Sequence, residues 1–246
     1  KNKALTIIMA YLGVYFVGAL LVSIVFSFVV KIFNITITDY EANSYINLLT
    51  YLILFISLIF ICYKDLGKDF NTLKEDKKNI MYKILASYGI FYVISLSVNI
   101  IIQNIDYYSN IVNNLFGQRN HLTLVSDNQS VIEEMLKGRS AWAMILAAGF
   151  LGPICEELVF RKAIFDACKT KEMGIILSSS LFGMIHIISS FGMYDGLSLI
   201  LMTIPYIFSG VALSIIYIKN DCNIWIPTIV HTLSNLISIL GILILY

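Results

Sequence analysis

Three short stretches of the chain set ionisable side chains among almost wholly apolar neighbours. They read Gly152-Pro153-Ile154-Cys155-Glu156-Glu157-Leu158-Val159-Phe160-Arg161, then Phe182-Gly183-Met184-Ile185-His186, then His231-Thr232-Leu233-Ser234-Asn235. On a helix, Glu157 and Arg161 stand four residues apart on one face and form a charge-assisted pair. Glu156 lies about 100° around from Glu157 and has no local partner. His231 and Asn235 again share a face. Counted at ~1.5 Å per residue from the inner end of each apolar run, Glu156 sits ~15 Å deep, His186 ~18 Å and His231 ~10 Å, so the three can meet. Each ionisable group in a bilayer costs ~2.5–3.5 kcal/mol unless paired. A single histidine on an apolar helix more often only holds helices together. A free carboxylate, two imidazoles and a carboxamide at compatible depth point instead to proton transfer, in a catalytic or a transport site. Phe182 taken singly is packing, and nothing in the sequence marks Cys155 as an activated nucleophile.

The elements that carry these groups must live in lipid. Of 246 residues, 58% are hydrophobic and 13% charged, with a mean hydropathy of +0.81, too apolar for a water-facing surface. Seven runs, at about 4–30, 45–63, 84–105, 141–165, 174–191, 197–218 and 224–245, approach the ~20 residues that a membrane helix needs. Open strands leave their backbone unpaired in hydrocarbon, and the runs lack the alternation of a membrane barrel. The expected fold is all-α, a polytopic transmembrane helical bundle of about seven spans. Residues 1–105 form its N-terminal helices, 106–140 an external loop, and 141–246 a four-helix part holding the ionisable groups. In the loop, Ser130-x-x-Glu133 reads as a capping box opening a short interfacial helix, and Glu133 and Glu134 as surface charge.

Charge sets orientation and excludes one class of partner. A net charge of +1 and a pI near 7.8 lack the basic excess that nucleic acid requires. With the N-terminus inside, thirteen of the 17 lysines and arginines fall on the cytoplasmic side, leaving Lys31, Arg119, Lys137 and Arg139 outside. The chain is thus expected in the cell membrane with its C-terminus outside. Lys1 and Lys3 precede a charge-free run over 4–30, too long for a signal peptide, so this segment reads as a permanent helix. Cys62, Cys155, Cys168 and Cys222 show no ligand spacing and read as reduced packing residues.

Taken together, the three stretches resemble the CAAX protease and bacteriocin-processing (Abi) family of intramembrane peptidases, whose pattern is EExxxR, FxxxH and HxxxN on successive membrane helices. Here these are Glu156 to Arg161, Phe182 to His186, and His231 to Asn235, and the resemblance covers roughly residues 141 to 240. It implies cleavage of a peptide bond at a membrane-embedded site reached from one face. Glu156 would activate water, helped by His186, while His231 and Asn235 serve the oxyanion and Glu157, Arg161 and Phe182 support the site. The substrate would be a lipidated tail or a leader, bacteriocin or pheromone peptide; abundant Ile, Asn, Lys and Tyr suit an AT-rich bacterial genome and the second group. A zinc of the His2Glu type would take Glu156, His186 and His231 as ligands and so consume the free carboxylate, which favours a metal-free reading. The alternatives are a proton-coupled transporter, at which Gly152-Pro153 and Pro205 hint, or a noncatalytic scaffold or immunity protein.

Overall fold

The computed structural model describes residues 2–75, 79–116 and 127–245, and these contain no strand. Among them eight helices follow in order: α1 (Asn2–Ile32), α2 (Asp39–Glu75), α3 (Ile80–Phe116), α4 (Asp127–Leu136), α5 (Ala141–Ala167), α6 (Lys171–His186), α7 (Gly196–Lys219) and α8 (Trp225–Leu245). Six of these, α1, α2, α3, α5, α7 and α8, are long and apolar enough to cross a membrane. Their outer faces expose large apolar side chains such as Phe28, Phe60 and Ile244, which only lipid covers. The protein is a multi-pass helical membrane protein. α5 is its central helix, with 67% of its apolar window buried against 39% or less in the other five.

The run expected to span at 174–191 is realised differently. α6 has 16 residues, about 24 Å, and ends at His186 before a 3-10 turn over Ile188–Ser190 and a left-handed Gly192 at φ +84°. It lies tightly against α7, and the turn that follows it packs on α4. A Cβ on Gly183 would come within 2.5 Å of Ile207 Cγ1 and 2.9 Å of Thr203 Cγ2, so only glycine permits this approach. α7 opens on Asp195, whose carboxylate accepts from the Leu197 and Ser198 N–H groups; hydrogen bonding, led by the Ser198 hydroxyl, holds it below the usual carboxylate range.

Polar contacts define one end of the bundle. Lys3 pairs with Asp65 at 2.7 Å, the Trp225 indole donates to Leu66 O at 3.0 Å, the Ile224 N–H donates to Asp69 at 3.2 Å, and Asn220 donates to Ser87 at 3.2 Å. These tie together the N-terminus of α1, the C-terminal part of α2, the start of α3 and the α7–α8 turn, where most lysines lie. α4 packs at the opposite end, against α2, α5, α8 and the turn after α6, and buries Met135 and Leu136 with Met144 and Ile239.

Three local expectations change. Ser130 lies inside α4, already helical at Asp127, so it does not cap the helix start, and α4 is packed onto the bundle. α2 and α3 run well past their apolar stretches, because a helix entering water keeps its hydrogen bonds without a hydropathy signal. Arg161, counted on the inner face from sequence, is wholly buried. Arg119 lies outside the described residues.

Candidate active site

α5 delivers Glu156 and Glu157 from a short α-helical stretch between two wider, π-helical turns, Ile145–Leu151 and Leu158–Ala163. Pro153 offers no N–H, and beside it the Gly152 N–H reaches five residues back to Ala147 O. Ile164 likewise donates to Val159 O. Such wide turns change which way successive side chains face, and here they bracket the two glutamates.

Glu157 and Arg161 form the predicted pair, wholly buried, with Nε and Oε2 3.0 Å apart. Arg161 Nη1 also donates to Ser178 Oγ at 2.7 Å, and its guanidinium stands 5.1 Å from the Phe182 ring centre. Glu157 does more than neutralise the arginine. Its Oε1 accepts from His231 Nδ1 at 2.9 Å, joining α5 to α8. Since a carboxylate only accepts, Nδ1 carries the proton and neutral His231 presents a bare Nε2.

His186 is oriented in the same manner by its own helix end. It is the last residue of α6, and its Nδ1–H donates to Phe182 O at 2.7 Å, one turn back in the same helix. Its Nε2 is therefore also a bare acceptor. Phe182 separates the parts, its ring 4.4 Å from His186, 5.7 Å from His231 and 5.3 Å from Phe160 between centres.

Both Nε2 atoms face Glu156, which is 7% exposed. Glu156 Oε2 stands 3.9 Å from His186 Nε2 and 3.8 Å from His231 Nε2. Those distances are too long for a hydrogen bond and leave room for one bridging water, roughly 2.8 Å from each acceptor. Ligand atoms on a tetrahedral zinc at ~2.0–2.2 Å would lie about 3.4 Å apart and two acceptors on one tetrahedral water about 4.6 Å, so the observed spacing falls between the two. No group of three His, Cys, Asp or Glu side chains among the described residues is arranged to hold a metal ion. A zinc of the His2Glu type would take these same three groups as its ligands; the chemistry below runs through side chains and water.

The arrangement opens into a cavity of about 460 Å³. Asn235 lies on its wall and donates one amide N–H to Ala148 O at 2.9 Å, keeping its second N–H. Residues 138–237, which hold the glutamates, both histidines and Asn235, match the family described as type II CAAX prenyl endopeptidase Rce1-like. This part of the chain is CAAX-endopeptidase-like. A Mycoplasma capricolum (strain California kid) protein named only as uncharacterized is 29% identical over 174 residues, 70% of this chain and 47% of its own length. Bacillus subtilis (strain 168) YdiL, named as a proposed membrane peptidase, is 29% identical over 113 residues, 45% of this chain and 41% of its own. The chain thus spans less than half the length of these two relatives. No solved structure matches it.

Outside the CAAX-endopeptidase-like segment, α2 supplies a residue that the motifs do not include. Tyr51 donates its hydroxyl to Glu156 Oε1 at 3.4 Å, engaging the oxygen turned away from the histidines. Within the segment, Tyr206 of α7 stacks on His186 at 4.6 Å between ring centres. Neither tyrosine carries a spacing signal, since each meets the site only through packing between helices. The four cysteines are free thiols, and Cys62 and Cys155 are buried.

Proposed function

We propose that this chain is an intramembrane endopeptidase in which Glu156 activates a water molecule. The observation that carries this reading is the convergence of three acceptors, Glu156 Oε2 and the Nε2 atoms of His186 and His231, at distances that leave room for one water. Water can donate to two of them at once. Loss of one proton to Glu156 leaves hydroxide to attack the substrate carbonyl carbon, and the protonated Glu156 can then pass that proton to the leaving amine. His186 holds the water. The second N–H of Asn235 donates to the oxyanion. Because His231 Nδ1 is bound to Glu157, His231 can add a donor at Nε2 only as the imidazolium, which the Glu157 carboxylate stabilises. Glu157, Arg161 and Phe182 position these groups, and Tyr51 fixes Glu156 against rotation.

A proton-coupled transporter built on the same cluster needs a polar path to both faces. Towards the lysine-rich end, a packed apolar cluster that includes Leu58, Cys62, Leu158, Phe160 and Tyr217 lies beyond Glu156, which disfavours that alternative. Peptidase assay of the purified protein against a library of membrane-anchored peptides, with and without chelator, tests the proposal. Cleavage is expected in both conditions. Cleavage lost with chelator and restored by zinc would move the mechanism to a metal.

A further inference from the structure

The cavity is one-sided. Its floor is the Glu156 cluster, and beneath that lies the packed apolar cluster of the lysine-rich end. From the floor, α8 climbs through Ser234, Asn235 and Ser238, and antiparallel α2 climbs through Tyr51, Thr50 and Asn47, so hydroxyls and amides face each other along its length. Both rows lead to α4, whose Val131, Ile132 and Met135 line the far end, with Met135 Sδ 4.0 Å from Asn47 Nδ2. Ser238, nearest that end, is exposed, whereas Thr50 is buried.

Above the floor no carboxylate, lysine or arginine among the described residues lines the walls. A charged side chain brought inside would be left unpaired, whereas a peptide backbone finds donors and acceptors on both sides. The volume lies in the range of small-ligand pockets and takes a few residues of extended chain, not a folded domain. Nine of the thirteen lysines and arginines among the described residues lie at the opposite end, which by the positive-inside rule is the cytoplasmic one.

We infer that the site is entered from the α4 end, on the extracytoplasmic side of the membrane, by an extended, uncharged segment of a peptide presented at that face. The entry side stands on the cavity and the charge distribution alone; the peptide as substrate rests on the proposed peptidase reading.

The two parts separate experimentally. Ser238→Cys, placed in a Cys168→Ser background that retains Cys222 as a marker of the lysine-rich end, is treated in intact cells with a membrane-impermeant maleimide. Labelling of Cys at 238 in intact cells, with Cys222 reached only after permeabilisation, is the expected result. The reverse pattern, or a position 238 that labels only after denaturation, overturns the entry side. Protein in liposomes, its orientation measured with the same reagent, is then offered peptides with an uncharged or a lysine-substituted centre from either side. Cleavage of the uncharged peptide from the α4 side alone is expected. Equal cleavage of both peptides, or cleavage from the lysine-rich side, contradicts the substrate class; correct labelling with no cleavage of any peptide removes the peptidase reading and leaves the entry side standing.

Discussion

The two halves of the bundle, meeting at Glu156, are built on opposite terms. Towards the lysine-rich end the interior is apolar and closed, and the charged pair of Glu157 with Arg161 is wholly buried there. Towards α4 the interior is a cavity whose largely apolar walls carry rows of hydroxyls and amides, and its floor carboxylate meets the two histidines only at a distance that leaves room for water. Neighbouring glutamates in one helix thus have different tasks. Glu157 spends its charge on Arg161 and His231, and Glu156 keeps its own for the cavity. On the proposed reading the packed half holds the geometry and the open half provides for chemistry, so substitutions in the first should register mainly in stability and those in the second mainly in turnover.

Arg161→Ala carries the largest expected effect on the packed side. It strands the buried Glu157 charge, which costs ~3–5 kcal/mol for pairs of this kind, and it loosens the hold on His231. Thermal unfolding in detergent should show a large drop in Tm along with lost activity. A stable but inactive protein would mean that Arg161 contacts substrate, at odds with its complete burial.

On the cavity side, Asn235→Ala should lower kcat by ~10²–10³, the usual consequence of losing one oxyanion donor. Its Tm should fall far less than that of Arg161→Ala, because the single bond to Ala148 O is worth about 1 kcal/mol. If stability falls as much as activity, Asn235 serves to join α8 to α5. Tyr51→Phe should have the smallest effect. The 3.4 Å bond to Glu156 is long, and its loss at ~0.5–1.5 kcal/mol amounts to a reduction in kcat of about two- to tenfold with KM little changed. An unchanged kcat would show that Glu156 does not need the phenol to hold its rotamer.

The sequence makes these halves unequally legible. Glu156, His186 and His231 can be found without coordinates because ionisable groups in apolar runs are rare and their spacing fits helices. The Glu157–Arg161 pair is legible for the same reason, being an i, i+4 relation within one helix. The hydrogen bond from His231 to Glu157 is not, since it joins residues 74 apart in the chain and depends on how α8 docks on α5. Tyr51 is hidden in the same way, one tyrosine among 15 until α2 is placed beside α5. Hydropathy also misjudges lengths. It extends α6 through residues that Gly192 turns aside, and it stops α2 and α3 where their helices continue among charged or polar residues.

Paired assays of peptidase activity and thermal stability on Glu156→Gln test the central claim most directly. The amide keeps the shape of the side chain and its bond to Tyr51 but cannot take a proton from water. Cleavage should fall at least ~10²-fold, the lower bound for loss of a general base, while Tm holds or rises because a largely buried charge is gone. Undiminished cleavage by the folded Glu156→Gln protein would contradict the account at its centre.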